Sequence, residues 1–142
     1  MPSTESEISA LLDRQNAAIG AKDVDRLMAL FSPDIVYFDV VPPLRFVGSA
    51  ALRARFLEWL DGFEGAIDME MRDLGILVGA DFAVAHRLSR SNGTLKSGLK
   101  VGRWVRATSC CQRPNGTWLV THEHISWPVD PRSGQGAMDL VP

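Results

Sequence analysis

The spacing of apolar residues changes near Gly65, and that change limits the chain to a fold that joins helices to a sheet. Before it, apolar residues recur with the period of one helix face. After it, long segments rich in β-branched and aromatic residues are separated by turn signals. Thr4-x-x-Glu7 reads as a capping box ahead of Ile8, Leu11, Leu12, Ala18 and Ile19. Gln15 falls inside that stripe, where a buried amide costs free energy unless it finds partners. Asp23 is expected to cap a second helix that turns Val24, Leu27, Met28 and Phe31 inward and stops at Pro33. Ile35 to Val41 reads as a strand that carries Asp39 and ends at Pro42-Pro43. Ser49 is expected to cap a third helix bearing Leu52, Phe56, Trp59, Leu60 and Phe63, with Arg53, Arg55, Glu58 and Asp61 on its solvated side.

Four strands are expected after Gly65, over Ile67 to Val78, Phe82 to Ser91, Leu99 to Arg113 and Trp118 to Trp127. The turns between them are placed at Gly79-Ala80-Asp81, Ser91-Asn92-Gly93 and Pro114-Asn115-Gly116. The two Asn-Gly-Thr triplets match a glycosylation signal, but hairpin turns explain them better. The expected fold is α+β, with three N-terminal helices packed on a long, curved antiparallel sheet. Together they form a cone-shaped α+β barrel able to keep an internal cavity. One domain is expected over residues 1–128, with a loosely held C-terminal tail over 129–142, where apolar periodicity is lost.

Composition narrows the partners. Hydrophobic residues make up 46% and charged residues 23%, the balance of a globular domain. Lys and Arg total 15 against 17 Asp and Glu, so no concentrated cationic face is offered to nucleic acid or to an anionic membrane. The stretch from Leu74 to Ala85 is interrupted and too short to span a bilayer. Met1-Pro2-Ser3-Thr4-Glu5 lacks the cationic-then-apolar pattern of a secretory signal, so a cytoplasmic domain is expected. Cys110 and Cys111 are neighbours, which strains any disulfide between them, and they are read as reduced thiols.

No nucleophile elbow, phosphate-binding loop, dinucleotide-binding glycine pattern or HExxH motif occurs. Polar residues inside strands carry the chemistry instead: Asp39, His86, Arg106 and the run His122-Glu123-His124. Strand alternation puts Trp104, Arg106, Thr108 and Cys110 on one face. A two-residue Asn115-Gly116 turn would bring Glu123 to that face, whereas a bulge or a three-residue turn would bring His122 and His124. The histidines could equally be structural. Asp39, His86, His122 and His124 could also form a metal set, but nothing in the sequence fixes their convergence, and no metal or cofactor is expected. An apolar strand around Asp39 would desolvate its carboxylate and suit it to proton transfer. A nearby Arg106 could hold it ionised or bind a substrate oxygen, or the two could satisfy each other as a buried pair. Histidine titrates in the useful range, so His124 or His122 could be the acid partner, and Asp39 and His124 are taken as the candidate catalytic residues. Gln15, Tyr37, Trp59, His86, Trp104, Arg106, Thr108, His122 and Glu123 are candidate substrate-binding residues. Trp59, Trp104 and Trp127 read as core or cavity wall.

Two segments carry a family resemblance. Ala21-Lys22-Asp23-Val24-Asp25 through Leu30-Phe31-Ser32-Pro33-Asp34-Ile35-Val36-Tyr37-Phe38-Asp39 is followed by the Gly48-Ser49 helix entry. Near the end, Trp118-Leu119-Val120-Thr121-His122-Glu123-His124-Ile125-Ser126 resembles a W-x-x-x-H-x-H-x-S closing strand. The chain thereby resembles the nuclear transport factor 2-like superfamily, in its SnoaL-like and ketosteroid isomerase-like branch, over most of its length. That resemblance places Asp39 at the general-base aspartate of the steroid isomerases, whose oxyanion hole is a tyrosine and a protonated aspartic acid. Gln15 stands at the tyrosine position and Thr108 near the aspartic acid, so both strong donors are replaced and steroid isomerisation itself is not implied. It implies a cofactor-independent isomerase or cyclase acting on a hydrophobic, oxygenated small molecule, or alternatively a non-catalytic ligand-binding or dimerisation domain. It also implies a homodimer paired through the outer sheet face.

Overall fold

A computed structural model describes residues 2–142. Helix α1 spans Thr4–Gly20, α2 Val24–Met28 and α3 Ser49–Asp61. The strands are β1 Phe31–Phe38, β2 Phe46–Val47, β3 Phe63–Val78, β4 Phe82–Leu95, β5 Lys100–Gln112 and β6 Leu119–Ser126. They form one six-stranded sheet in the order β2-β1-β6-β5-β4-β3. The α+β cone is as expected, but the sheet stays open and is mixed, because β1 runs parallel to β6 while every other pair is antiparallel. Those two strands lie side by side, with α3 and four further strands between them in sequence. None of the described helices is long and apolar enough to cross a membrane.

The helices form where local signals and the apolar stripe agree, with small shifts at their ends. Ser3, rather than Thr4, caps α1, accepting from the Ser6 N–H at 3.1 Å. Asp23 caps α2 as expected, but that helix stops at Met28, and Phe31 opens β1. Gly48 precedes α3 with φ of 87°, and Ser49 is its first residue, with no side-chain cap. A left-handed φ at that corner favours glycine over serine. Ile8, Leu11, Leu12 and Ile19 of α1 are buried, as are Leu52, Phe56 and Leu60 of α3. Complete burial of a side chain such as Leu11 is worth about 1.5–3 kcal/mol.

The long strands curve through bulges. In β3 the pairing with β4 shifts between Glu64 and Asp68 and again between Arg72 and Gly75, and Asp73 there has φ of 56°. Ser91-Asn92-Gly93 is not a turn: Asn92 pairs with Gly102 and Gly93 with Val101 inside the β4–β5 ladder. The chain reverses later, at Lys96-Ser97-Gly98, where Gly98 has φ of 89°. Gly93, expected in a turn, is thus part of a strand. In the fold it gives Phe63 room, since a Cβ there would lie 2.7 Å from the Phe63 ring. Residues 129–142 contain neither helix nor named strand, only a Val129–Gly136 bridge.

Candidate functional site

The narrow end of the cone is closed by polar residues from five elements. Gln15 comes from the buried stripe of α1, Tyr37 from β1, Arg87 from β4, Ser109 from β5 and Glu123 from β6. The register lines up Ala85, Ser109, Glu123 and Tyr37 in one row across the sheet. Gln15 Nε2 donates to both Glu123 oxygens, at 3.0 and 3.2 Å. Ser109 Oγ donates to Glu123 Oε1 at 2.6 Å, and an Arg87 guanidinium nitrogen reaches the same oxygen at 3.3 Å. Arg87 also donates to Ser109 Oγ at 2.7 Å and to Gln15 Oε1 at 3.3 Å. Glu123 is 2% exposed. A carboxylate that deep is tolerable because a cation and two neutral donors surround it. Burial first, then the charges of Glu123 and Asp39, push the Tyr37 phenol well above its ordinary range. Burial, followed by the Glu123 charge, pushes the nearby Cys111 thiol up to about 12.

Above this floor lies a cavity of about 320 Å³. Its walls are mostly apolar, with Phe56 and Trp59 of α3 facing Val105 and Ile125 of the sheet. That volume sits at the lower end of the range of about 300–1,000 Å³ usual for small-molecule sites. Asp39 lies in the wall, one residue beyond β1 rather than inside a strand. Its Oδ2 receives Arg55 Nε at 2.8 Å, and its Oδ1 accepts the Val40 N–H at 2.6 Å. The side chain is 4% exposed. Asp39 is thus held by an ion pair and a backbone donor in a wall that is otherwise mostly apolar.

The structure brings Gln15, Tyr37, Asp39, Trp59 and Glu123 to one cavity and leaves the other candidates outside it. On β5 the inward residues are Val101, Arg103, Val105 and Ala107, so Trp104, Arg106 and Thr108 face the other way. Trp104 lies beneath the Arg72 and Arg90 guanidinium groups on that outer face. Arg106 therefore does not pair with Asp39; it bonds Ser126 Oγ at 3.2 Å. His86 and His124 both pair with Thr108 across neighbouring strands and are exposed on the same outer face. His122 is two residues from His124, and its Nδ1 lies 2.6 Å from the Val36 carbonyl oxygen. His124 is thus no acid partner for Asp39. The four-ligand metal set fails for the same reason, because the sheet stands between Asp39 and the histidines. Among the described residues, no group of three or more His, Cys, Asp or Glu side chains is placed to hold a metal ion.

A bulge decides the faces of β6. Cys111 pairs with Val120 but Cys110 pairs with His122, which leaves Thr121 as an extra residue. Val120 and Glu123 consequently both point inward, although an unbroken alternation would put them on opposite faces. Two cavity residues escape a reading by residue type alone. Arg87 hides beside His86, and its signal is the inward run Ala83-x-Ala85-x-Arg87, in which small residues leave room for a large cation. Arg55 reads as a solvated helix residue, yet its side chain turns to Asp39 and is only 14% exposed. Ser109 lies on the inward face with Ala107 and Cys111 and carries no motif.

An open curved sheet closed over by helices, with a lined interior, defines the nuclear transport factor 2-like class of fold. Within it, this chain belongs to the SnoaL-like domain family, whose model matches residues 8–130. An NTF2-like protein of unknown function from Pseudomonas putida KT2440 shares 31% identity over 99% of both chains, with a TM-score of 0.87. A ketosteroid isomerase-like protein from Erwinia carotovora atroseptica SCRI1043 is 17% identical, with 89% of this chain and 97% of that one covered, and a TM-score of 0.75. The second likeness is one of fold alone. No protein of curated function matches the chain.

Proposed function

We propose that this chain holds a hydrophobic, oxygenated small molecule in the cone and performs cofactor-independent acid–base chemistry on it, with Asp39 as general base. The observation that supports this is a single carboxylate fixed in the apolar cavity wall, apart from the saturated polar floor. The step is proton abstraction next to a carbonyl. The C–H bond breaks, its proton passes to the Asp39 carboxylate, and the electron pair moves through a new C=C bond onto oxygen. Return of the proton to the same or another carbon regenerates the carboxylate and gives exchange or isomerisation; attack of the enolate carbon on a second carbonyl of the same molecule forms a C–C bond, and return of the proton to the resulting alkoxide gives ring closure. Tyr37 and Trp59 shape the cavity, while Gln15 and Glu123 close its floor.

The test uses 2-tetralone, a compact ketone with acidic α-hydrogens, in deuterated water. Wild-type protein is expected to accelerate deuterium uptake, and Asp39→Asn to lower that acceleration by about 100-fold or more, the usual contribution of a positioned base. Equal uptake with both proteins would remove Asp39 from the chemistry.

One observation favours a second reading, a non-catalytic binding domain. The Gln15 amide, which stands where the resemblance places a catalytic donor, is committed to Glu123 through both contacts. Tight binding of a ketone without any exchange would support that reading. In either case the outer face of the sheet is proposed to join two copies of the chain as a homodimer.

A further inference from the structure

The charged side chains that line the cavity are Asp39, Arg55, Arg87, Arg103 and Glu123. Arg55 pairs with Asp39 and Arg87 with Glu123, so two of these cations are neutralised where they stand. Arg103 is left over. Among the described residues no carboxylate pairs with it, and Asp130 and Asp139 of the C-terminal segment both stay exposed. The lining therefore carries an unbalanced positive charge, in a chain whose formal net charge is −2. An arginine in the lining of a mostly apolar cavity is one of the few polar groups that can orient a ligand there.

A neighbouring donor adds to it. Ser91 lines the same cavity and lies directly opposite Arg103 in the β4–β5 ladder. Side chains so paired have Cβ atoms about 4.5–5.5 Å apart. Each of the two gives a hydrogen bond to a methionine. Ser91 Oγ donates to Met69 Sδ at 3.3 Å, and Arg103 Nη1 donates to Met138 Sδ at 3.4 Å. A thioether is a weak acceptor, so both donors gain when an oxygen replaces it. Arg103 is exposed, so a ligand reaches its guanidinium without any rearrangement of the core. Its place is toward the end of the cone opposite the floor, about 20 Å along β5 from Ser109.

We propose that the cavity takes a hydrophobic monocarboxylic acid, its carboxylate held by the Arg103 guanidinium and the Ser91 hydroxyl and its carbon skeleton lying against the apolar walls. A carboxylate matches the guanidinium fork with two parallel N–H···O bonds, which a single neutral oxygen cannot do. One negative charge also balances the unpaired cation, whereas a phosphate dianion would leave an excess charge in a mostly apolar wall. Phe56 and Trp59, facing Val105 and Ile125, receive the rings or chain of the acid. The proposal rests on the reading of the cone as a small-molecule site, and it holds whether or not Asp39 acts as a base. Where Asp39 does act, the carboxylate is a handle separate from the reacting carbonyl.

The experiment compares 2-naphthoate with 2-naphthamide, its neutral isostere, by isothermal titration calorimetry at pH 7. The wild-type protein is expected to bind the acid about tenfold more tightly than the amide, the worth of one charge-assisted pair open to solvent. Arg103→Met keeps the apolar stem and removes the charge. It is expected to abolish that preference, weakening the acid about tenfold and changing the amide less than about twofold. Ser91→Ala is expected to weaken the acid about threefold and to leave the amide unchanged. Retained amide binding shows that each variant is folded with its cavity intact, and the wild-type comparison is informative without any variant. Equal affinity of the wild-type protein for both compounds, or an acid affinity untouched by Arg103→Met, overturns the proposal. Its fate is separable from that of the reading beneath it. Binding of both compounds without preference keeps the small-molecule cavity and removes the anion site, whereas binding of neither removes both. Deuterium exchange of 2-tetralone tests Asp39 independently of either result.

Discussion

Glu123 Oε1 is shared by Gln15, Arg87 and Ser109, whereas Asp39 has Arg55 and its own neighbour's N–H. These partners separate the two carboxylates of the cavity. Glu123 is deep, saturated with donors and suited to holding the floor. Asp39, in the mostly apolar cavity wall, has one partner on each oxygen. Removing one member of the buried ion pair leaves the other charge uncompensated, so Arg87→Met is expected to destabilise the protein by about 3–5 kcal/mol. Arg87→Met combined with Glu123→Leu is expected to recover a large part of that loss, because a well-packed apolar pair often replaces a buried ion pair at little cost. Urea unfolding of the three proteins measures this, and a double variant no more stable than Arg87→Met would contradict it.

Elements set which residues meet, and here close approaches matter as much as apolar stripes. Gly20 ends α1 against β3, and a Cβ at that position would lie 2.9 Å from the Ile67 carbonyl oxygen. Backbone cannot step aside as a flexible side chain can. Gly20→Ala is therefore expected to cost about 1–3 kcal/mol, despite alanine's better helix propensity, and thermal unfolding checks the sign. The helices were legible in the sequence because Ile8, Leu11 and Leu12 recur with one period and Asp23 is a local cap. The strands were legible as long apolar segments. What was not legible is the face of each strand beyond a bulge. The single extra residue at Thr121 turns Glu123 inward and both His122 and His124 outward, and no local signal in Trp118–Trp127 marks it. Arg55 was misread for a different reason. Helix periodicity assigns a face to a Cα, but a long arginine side chain can bend from the boundary to a buried carboxylate.

For the molecule as a whole, the buried acids of the interior tie stability to alkaline pH. Cys111 and Tyr37 both bind their protons more tightly when folded than when unfolded, Cys111 rising from 9.0 to about 12. Their contribution is complete below the unfolded pKa values and is lost as pH rises through the folded ones. Urea midpoints are accordingly expected to fall from about pH 9 upward, with a shallower fall in Cys111→Ala and Tyr37→Phe. A wild-type midpoint that stays level to about pH 11 would contradict this. At the same scale, light scattering is expected to give the mass of two chains, and a monomeric mass would remove the homodimer from the proposal.

The placement of β1 beside β6 also has a consequence in time. Gln15 and Glu123 are separated by 108 residues, and Arg87 and Gln15 by 72, yet these contacts seal the narrow end of the cone. Closing such distant segments is entropically slow, so local helices and the β3–β4–β5 hairpins have the earlier opportunity to form. During synthesis, Tyr37 and Asp39 leave the ribosome long before their β6 neighbours exist. The vessel is therefore shaped first and acquires its bottom last, and any ligand that needs a sealed interior must wait for the final strand to dock.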